Sequence, residues 1–328
     1  MVTLKEIAEK AGVSPITVSR VLNGSHPSKV SAKTRARVLK IAEELGYHPS
    51  IAARALRGKR TYQFGLVVPG IDYSFVPGII QGLQDAAMDL HYSCLLYVTR
   101  WNAALELEIF RALIAKRVDG IVWIPEPHPP PDVAGLLKEQ KVVQLQHKEL
   151  ADKPALLVDQ EEGGYRATRH LIELGHRRIG NLAYHDRHGK LRLQGYTRAL
   201  VEAGLGSSTA LVRRVGPTWE DALQGAHELL ALDEPPTAIV CYSDFVAWAA
   251  LRAAHQKGVR VPDQLSLVGF DDTPFVEHIE VPLTTVAQPK HELGRLAMAM
   301  LSDLIDGKRV ESQVLSPTLV IRSSTARL

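Results

Sequence analysis

Three hydrogen-bonding side chains, those of Thr17, Ser19 and Arg20, are spaced to lie on one side of a short helix. Ser14 and Pro15 precede them, and these residue types are favoured at the cap and the first position of a helix. The opposite side of this helix is apolar and consists of Val18, Val21 and Leu22. Such a helix can present donors and acceptors to base edges in the major groove of DNA.

A second helix is predicted directly before it. Thr3 and Glu6 form a capping box, and Gly12 can end this helix in the left-handed conformation. Two helices joined by a short turn that contains glycine are typical of a helix-turn-helix, whose second helix enters the major groove. Ser31 then caps a third helix that ends at Gly46. Residues 1–46 are therefore predicted to form a DNA-binding head.

Residues 47–61 are predicted to contain a hinge helix and a linker. Ser50 can cap a short helix from Ile51 to Leu56, which Gly58 ends. A helix of this length is not stable alone in water, so it should fold only against DNA and a second copy of the chain. Leu56 is the apolar side chain that a minor-groove wedge requires.

The positive charge of the chain is concentrated at its start. Residues 1–60 contain 12 Lys and Arg against 4 Glu, although the whole chain carries only +3. A basic head on a mildly acidic body favours nucleic-acid binding, because cations that neutralise phosphates release counterions. The alternative is that these side chains only form a solvated helix face. They are Lys29, Lys33, Arg35, Arg37 and Lys40.

From Tyr62 onward, apolar runs such as FGLVV, CLLYV and LSLVGF alternate with amphipathic helical stretches. This alternation is typical of parallel sheets covered by helices on both faces. Residues 62–328 are too many for one usual domain, so we expect a first lobe of about 62–159 and a second of about 160–322, with chain crossovers. Ligands of such lobes bind beyond the carboxyl ends of the strands, which here means the cleft between the lobes.

Catalytic motifs are missing from the sequence. It contains no GxSxG, GxxxxGK[ST] or HExxH motif, and no GxGxxG follows the first strand. The run from His185 to His188 could supply metal ligands, but a charged loop is the favoured interpretation. No signal peptide or membrane-length apolar run is recognised. We therefore expect a cytoplasmic protein that is not an enzyme, needs no cofactor or metal and has no membrane partner.

The run VTLKEIAEKAGVSPITVSRVLNG resembles the start of LacI/GalR family transcription regulators of bacteria, and the resemblance spans the whole chain. It implies a small all-α helix-turn-helix head. It also implies an α/β body similar to periplasmic binding proteins, with two doubly wound Rossmann-like lobes. The later matching motifs are GLVVP at Gly65, RVDGIV at Arg117, HLIELGHRRIG at His170, RLQGY at Arg192, GFDDTP at Gly269 and PLTTV at Pro282.

The resemblance also implies which residues contact DNA. They are Pro15, Ile16, Thr17, Ser19, Arg20, Asn23, Ala53 and Leu56. The guanidinium of Arg20 suits the O6 and N7 acceptors of guanine, whereas Ile16 offers only apolar contact, for which a thymine methyl is the natural partner. The alternative for Ile16 is a place in the core of the head, and Asn23 is equally suited to end its helix.

Polar or aromatic residues beyond strand ends, together with positions matched by the resemblance, give the expected effector site. It comprises Asp72, Phe75, Arg100, Gln146, Arg192, Trp219, Ser243, Asp244 and Asp271. Arg192 matches the ligand-anchoring arginine of the family, and Trp219 falls where an aromatic ring often stacks on the ligand. An arginine and a carboxylate that converge suit the hydroxyls of a sugar or sugar derivative. The alternatives are an exposed helix-start charge for Arg192, and a helix cap or surface salt bridge for Arg100 and Asp244.

These features predict a repressor of carbohydrate-metabolism genes. A homodimer would bind a pseudo-palindromic operator, and a sugar or sugar derivative would release it. No heptad repeat follows the run VLSPTLVI, which favours a dimer over a tetramer. A non-sugar effector, corepression and activation remain alternatives with the same architecture. A stand-alone sugar-binding protein leaves residues 1–60 unexplained, and an enzyme needs an acid–base pair that the sequence does not reveal.

Overall fold

The structure is a computed structural model that describes residues 2–22, 29–47, 59–71, 75–126, 129–206 and 208–328. It separates into two compact units, the head unit Met1–Thr61 and the body Tyr62–Leu328. The predicted hinge helix over 51–56 and the predicted site residues Asn23, Ala53, Leu56 and Asp72 lie outside the described residues.

The head unit contains helices α1 (Leu4–Ala11), α2 (Pro15–Leu22) and α3 (Ala32–Glu44). The predicted capping box is confirmed, because the Glu6 amide donates to Thr3 Oγ1 at 3.4 Å and the Thr3 amide donates to Glu6 Oε2 at 3.3 Å. Gly12 follows α1 with a φ of 60°. The three helices enclose a small core of Ile7, Ala8, Ala11, Val18, Val21, Val38 and Ala42.

The first lobe of the body is built on a six-stranded parallel sheet. In spatial order its strands are β11 (Gln313–Leu315), β5 (Ala155–Val158), β4 (Val142–Leu145), β3 (Gly120–Trp123), β1 (Gln63–Val68) and β2 (Ser93–Val98). Helices α4 (Val76–Asp89) and α11 (Lys290–Ile305) cover one face, and α5 (Ala103–Ala115) and α6 (Asp132–Leu137) cover the other. Because both faces are covered, successive residues Leu66 and Val67 of β1 enter different cores.

The second lobe has the same layered form. Its strands, in spatial order, are β12 (Thr318–Val320), β10 (Thr284–Ala287), β9 (Ser266–Asp271), β8 (Ala238–Cys241), β6 (Ile179–Ala183) and β7 (Val212–Arg214). All pairs are parallel except β10 with β12. Helices α7 (Gln160–Glu173) and α8 (Arg187–Glu202) cover one face, and α9 (Trp219–Leu230) and α10 (Asp244–Gln256) cover the other. A short 3₁₀ helix, Thr209–Leu211, precedes β7.

The chain passes between the lobes three times, at residues 158–160, 287–290 and 315–318. The predicted extent of the second lobe, about 160–322, therefore needs correction, because α11 and β11 belong to the first lobe. Leu293, Ala297 and Met298 of α11 are buried in the first-lobe core. No helix within the described residues is both long enough and apolar enough to cross a membrane.

Candidate functional site

Helix α2 presents Ile16 away from the core of the head unit. Val18 and Val21 are buried, whereas Ile16 is 64% exposed, which excludes a place for Ile16 in the core. Ser14 Oγ accepts a hydrogen bond from the Thr17 amide at 3.2 Å and so fixes the start of the helix. The other described residues predicted to contact DNA are exposed or partly exposed: Pro15, Thr17, Ser19 and Arg20.

Arg192 of α8 is buried rather than exposed, with 7% of its surface accessible. Its guanidinium carbon lies 3.5 Å from the centroid of the Phe270 ring and 4.6 Å from that of Tyr242. Its Nε donates to Gln160 Oε1 at 2.9 Å, and its Nη1 donates to the carbonyl oxygen of Tyr242. The alternative of an exposed helix-start charge is therefore excluded. Rings and hydrogen bonds hold the guanidinium in one orientation, as a ligand anchor requires.

Close packing of α7 against α8 brings Gln160 within reach of Arg192. A Cβ on Gly195 would lie 1.9 Å from the carbonyl oxygen of Glu161, and one on Gly164 would lie 2.1 Å from that of Arg192. Both distances are far below van der Waals contact, so only glycine fits at these two positions. The helix pair thus depends on glycine for the approach that forms the site.

Asp271 ends β9 beside Arg192. Its Oδ1 lies 3.8 Å from Arg192 Nη2 and accepts a hydrogen bond from Gln288 Nε2 at 2.6 Å. Burial raises the pKa of Asp271 above its ordinary value, although the positive charge of Arg192 opposes this effect. The residue has a φ of 106°. Such strain in a non-glycine residue persists only where the surroundings enforce it, and it is concentrated at functional sites.

Gln146 brings the first lobe into the same group. It follows β4, and its Oε1 accepts a hydrogen bond from Gln160 Nε2 at 3.4 Å. Its own Nε2 is buried and has no hydrogen-bond partner among the described residues. Three predicted effector residues, Arg192, Asp271 and Gln146, therefore meet at the carboxyl ends of strands from both sheets. Together with Gln160 and Gln288 they form what we call the cleft group.

Gln160 and Gln288 are two members of the cleft group that were not predicted from the sequence, and they are only 2% and 5% exposed. Gln160 lies two residues after β5, and Gln288 directly follows β10. The rule that selected Asp271, a polar residue beyond a strand end, also points to both glutamines. Their amides carry no charge, and the sequence alone does not reveal that they contact charged partners.

Two other predicted effector residues, Ser243 and Asp244, make hydrogen bonds within the second lobe. Ser243 caps α10, with its Oγ accepting from the Val246 amide at 3.3 Å. Asp244 is fully buried, and its carboxylate accepts hydrogen bonds from the amide and hydroxyl of Thr273 and from the hydroxyl of Thr285. Burial and the nearby Asp271 raise the pKa of Asp244 to about 7. Both carboxylate oxygens of Asp244 thus have internal partners, which connect the start of α10 to the loop after β9 and to β10.

Phe75, Arg100 and Trp219 have surroundings different from those of the cleft group. Phe75 packs against the first-lobe core. Arg100 is exposed beyond β2, an edge strand, where its φ is 54°. The ring of Trp219 packs edge-on against Phe245 and Trp248, at centroid distances of 5.6 and 5.3 Å. The structure therefore does not bring these three predicted residues to the hydrogen bonds around Arg192.

A second contact between the lobes adjoins the cleft group. The rings of His147 and His188 are stacked with centroids 4.2 Å apart, and Arg187 Nη1 lies 3.2 Å from Glu149 Oε1. Burial, followed by the charge of Arg187, lowers the pKa of His147 to about 4. No group of three or more His, Cys, Asp or Glu side chains within the described ranges could hold a metal ion. The histidines are thus suited to a neutral packing contact.

The cavity beside Arg192 is small, with a volume of about 10 Å³. Its lining includes Tyr242 and Asn181. The buried Asn181 Oδ1 has no hydrogen-bond partner among the described residues. This volume suits a single water molecule.

Comparisons with known protein families match two parts of the chain. Residues 3–50 match the family described as bacterial regulatory proteins, lacI family, and residues 168–325 match the periplasmic binding protein-like domain. The chain is 36% identical to the HTH-type transcriptional regulator DegA of Bacillus subtilis, over 99% of this chain and 98% of that protein.

Two solved structures are similar along nearly the whole chain. The lac repressor dimer bound to operator and the anti-inducer ONPF has a TM-score of 0.87 and 29% identity, with 99% of each chain covered. The complex of the transcriptional regulator CelR with cellobiose has a TM-score of 0.73 and 32% identity, with 99% of this chain and 100% of that one covered. The similarity therefore extends over the head unit and the body.

Proposed function

This chain belongs to the lacI family of bacterial regulatory proteins, and we propose that it represses carbohydrate-metabolism genes from a pseudo-palindromic operator. Membership of this family makes it a DNA-binding transcriptional repressor and not an enzyme. In the proposed mechanism a homodimer holds the operator, and a sugar or sugar derivative releases it. Its place of action is the cytoplasm, where the operator DNA lies.

The observation that best supports a sugar effector is the convergence of Arg192 and Asp271. The guanidinium donates in a fork and the carboxylate accepts, which together suit neighbouring hydroxyls. The two side chains carry opposite charges, so the pair itself supplies no excess positive charge for a phosphate. CelR, which is similar along the whole chain and whose structure contains cellobiose, supports a sugar effector.

The proposed dimer follows from the way in which a helix-turn-helix reads DNA. One recognition helix covers only a half-site, and two related helices one helical turn apart read a pseudo-palindrome. The similarity to the lac repressor dimer on its operator supports two copies of this chain. The exposed Ile16 and the partly exposed Arg20 supply the apolar and hydrogen-bonding contacts of each half-site.

The experiment is a gel shift of the purified protein on the DNA that flanks its own gene, at physiological salt. It is run alone and with a panel of sugars, sugar phosphates and purines. We expect tight specific binding that one neutral sugar releases. Binding that appears only with a compound would make the protein corepressed, release by a purine would remove the sugar effector, and release by a sugar phosphate would contradict the preference for a neutral ligand. No specific binding to this DNA under any condition would count against the proposed operator.

A further inference from the structure

The two proposed anchors are hydrogen-bonded to segments that connect the lobes. Gln160 is the first residue of α7, where the first crossover ends, and Gln288 lies in the second crossover, between β10 and α11. Arg192 Nε donates to Gln160 Oε1 at 2.9 Å, and Gln288 Nε2 donates to Asp271 Oδ1 at 2.6 Å. Each anchor therefore has a crossover glutamine as a partner.

A third hydrogen bond joins the two glutamines to each other. Gln160 Nε2 donates to Gln288 Oε1 at 3.1 Å. Each residue thus donates to the next, from the Arg192 guanidinium through the amides of Gln160 and Gln288 to the Asp271 carboxylate. The 3.8 Å ion pair between Arg192 and Asp271 closes the cycle. None of these four residues is more than 8% exposed. In such a dry environment an unmade hydrogen bond is costly, so the cycle favours one arrangement of the crossovers.

Lys290 connects the end of β9 to the second crossover. As the first residue of α11, it donates through Nζ to the carbonyl oxygens of Asp271 and Asp272. These two aspartates have φ values of 106° and 53°, which non-glycine residues rarely adopt. The strained end of β9 is therefore held by two side chains of the crossover, those of Gln288 and Lys290.

We propose that Gln160 and Gln288 are the positioning residues that convert occupancy of the Arg192–Asp271 site into a change of the angle between the lobes. A hydroxyl that accepts from Arg192 Nε must displace Gln160 Oε1, because Nε carries a single hydrogen, and a hydroxyl that donates to Asp271 Oδ1 from the direction of Gln288 Nε2 displaces that amide. Binding then removes hydrogen bonds that hold two of the connections between the lobes. A ligand shifts a conformational equilibrium only through different affinities for the two states, and this competition supplies the difference.

The first test needs no ligand. Gln160→Met and Gln288→Met are combined, because methionine is similar in length to glutamine but lacks the amide. Pulsed EPR measures the distance between two spin labels, one on each lobe. The labels are attached to cysteines introduced at the exposed Glu139 and Asp233, and Cys94 is replaced by serine in every sample. We expect the double variant to broaden or shift the distance distribution of the full chain. The matched control is Gln224→Met, an exposed glutamine on α9. A distribution equal to that of the control would overturn the inference.

The second test measures coupling and rests on the proposed function. The operator Kd is determined with and without the panel compound that shifts the wild-type protein, and calorimetry measures binding of that compound. We expect the ratio of the two Kd values to fall towards 1 in the double variant while the compound still binds. A merely structural role would lower thermal stability and leave this ratio at its wild-type value, which would contradict the inference.

The two proposals can fail separately. If the wild-type protein does not bind the operator or no compound shifts it, the proposed function fails, and the EPR distances still decide the role of the glutamines. If the double variant does not fold, Gln160→Met and Gln288→Met are measured singly. Each removes one bond between an anchor and a crossover and should change the distance distribution in the same direction.

Discussion

Arg192 and Arg20 are the same residue type in different environments, and burial determines what each can do. Arg192 is 7% exposed and lies between the rings of Phe270 and Tyr242, whereas Arg20 is partly exposed on α2. A buried guanidinium has already lost its water and is fixed in orientation, which suits a small ligand. An exposed guanidinium can reach a base edge and loses its water only when DNA covers it.

Replacing Arg192 tests the residue on which the effector site depends. We expect Arg192→Ala to abolish the response to the effector while operator binding remains, because each hydrogen bond to a charged group is worth about 1.5–3 kcal/mol. Calorimetry with the active compound should show at least a tenfold loss of affinity, about 1.4 kcal/mol. The control is Arg169→Ala, because Arg169 forms an exposed ion pair with Glu173 on α7. A normal response of the Arg192→Ala variant to the effector would show that Arg192 does not bind it.

Replacing Ile16 tests the apolar contact of the recognition helix. Because Ile16 is 64% exposed, Ile16→Ser should leave the thermal stability of the protein unchanged. It should weaken operator binding about tenfold, since burying such a side chain is worth about 1.5–3 kcal/mol. Leu39→Ser, at a residue of α3 that is 47% exposed, is the matched control in the same unit. Equal operator affinities for the two variants would show that Ile16 does not contact a base.

At the scale of elements, the loop after β4 and the start of α8 form a contact that should respond to pH. His147 and His188 stack across the two lobes. Burial lowers the pKa of both rings, and their mutual repulsion when charged adds to this effect for His188. The neutral rings are therefore favoured in the folded state. Stability from this contact is fully present above the ordinary histidine pKa of 6.5 and is lost as the pH falls from there towards about 4.

A variant that cannot titrate isolates this effect. We expect His147→Phe to lose less thermal stability than the wild-type protein between pH 7 and pH 5, because the phenyl ring keeps the packing and takes up no proton. The measurement is the midpoint of thermal unfolding at each pH. His278→Phe is the control, since the His278 side chain is 75% exposed. Parallel pH profiles for wild type and His147→Phe would contradict the prediction.

The elements that the sequence predicts best are those with local signals. The capping box of Thr3 and Glu6 and the glycine after α1 are both confirmed, because a helix cap is formed by residues a few positions apart. The role of Asp244 could not be predicted in this way. Its partners Thr273 and Thr285 are 29 and 41 residues away in sequence, and only the folded sheet brings them to the carboxylate.

At the scale of the whole molecule, the allocation of segments to lobes was the part of the fold that the sequence did not reveal. Helix α11 has the amphipathic pattern of its neighbours, and periodicity does not indicate which sheet a helix covers. For the same reason the sequence identified Arg192 and Asp271 but not the cycle that joins them through Gln160 and Gln288. The cleft group depends on two crossovers that are 128 residues apart.

The uneven charge of the molecule gives a prediction about salt. Lys33 of α3 is exposed, and its ammonium group can contact a phosphate. If it does, Lys33→Gln should reduce the slope of log K against the logarithm of the salt concentration by about 1. Binding to operator and to unrelated DNA should weaken about equally. Titrations at several salt concentrations measure both, with Lys116→Gln in the body as the control. An unchanged slope would assign Lys33 to a solvated helix face.

The three crossovers also govern the order in which the protein can fold during synthesis. The first lobe includes α11 and β11, so its sheet and one of its helix layers stay incomplete until residue 315 has left the ribosome. Until α11 has emerged, Ile79 and Leu83 of α4 lack the apolar partners that this helix supplies. The second lobe needs only β12 and the residues beyond it after that point. An emerging chain therefore exposes an apolar helix face for most of its translation, and chaperones that bind such faces have their longest opportunity at the first lobe.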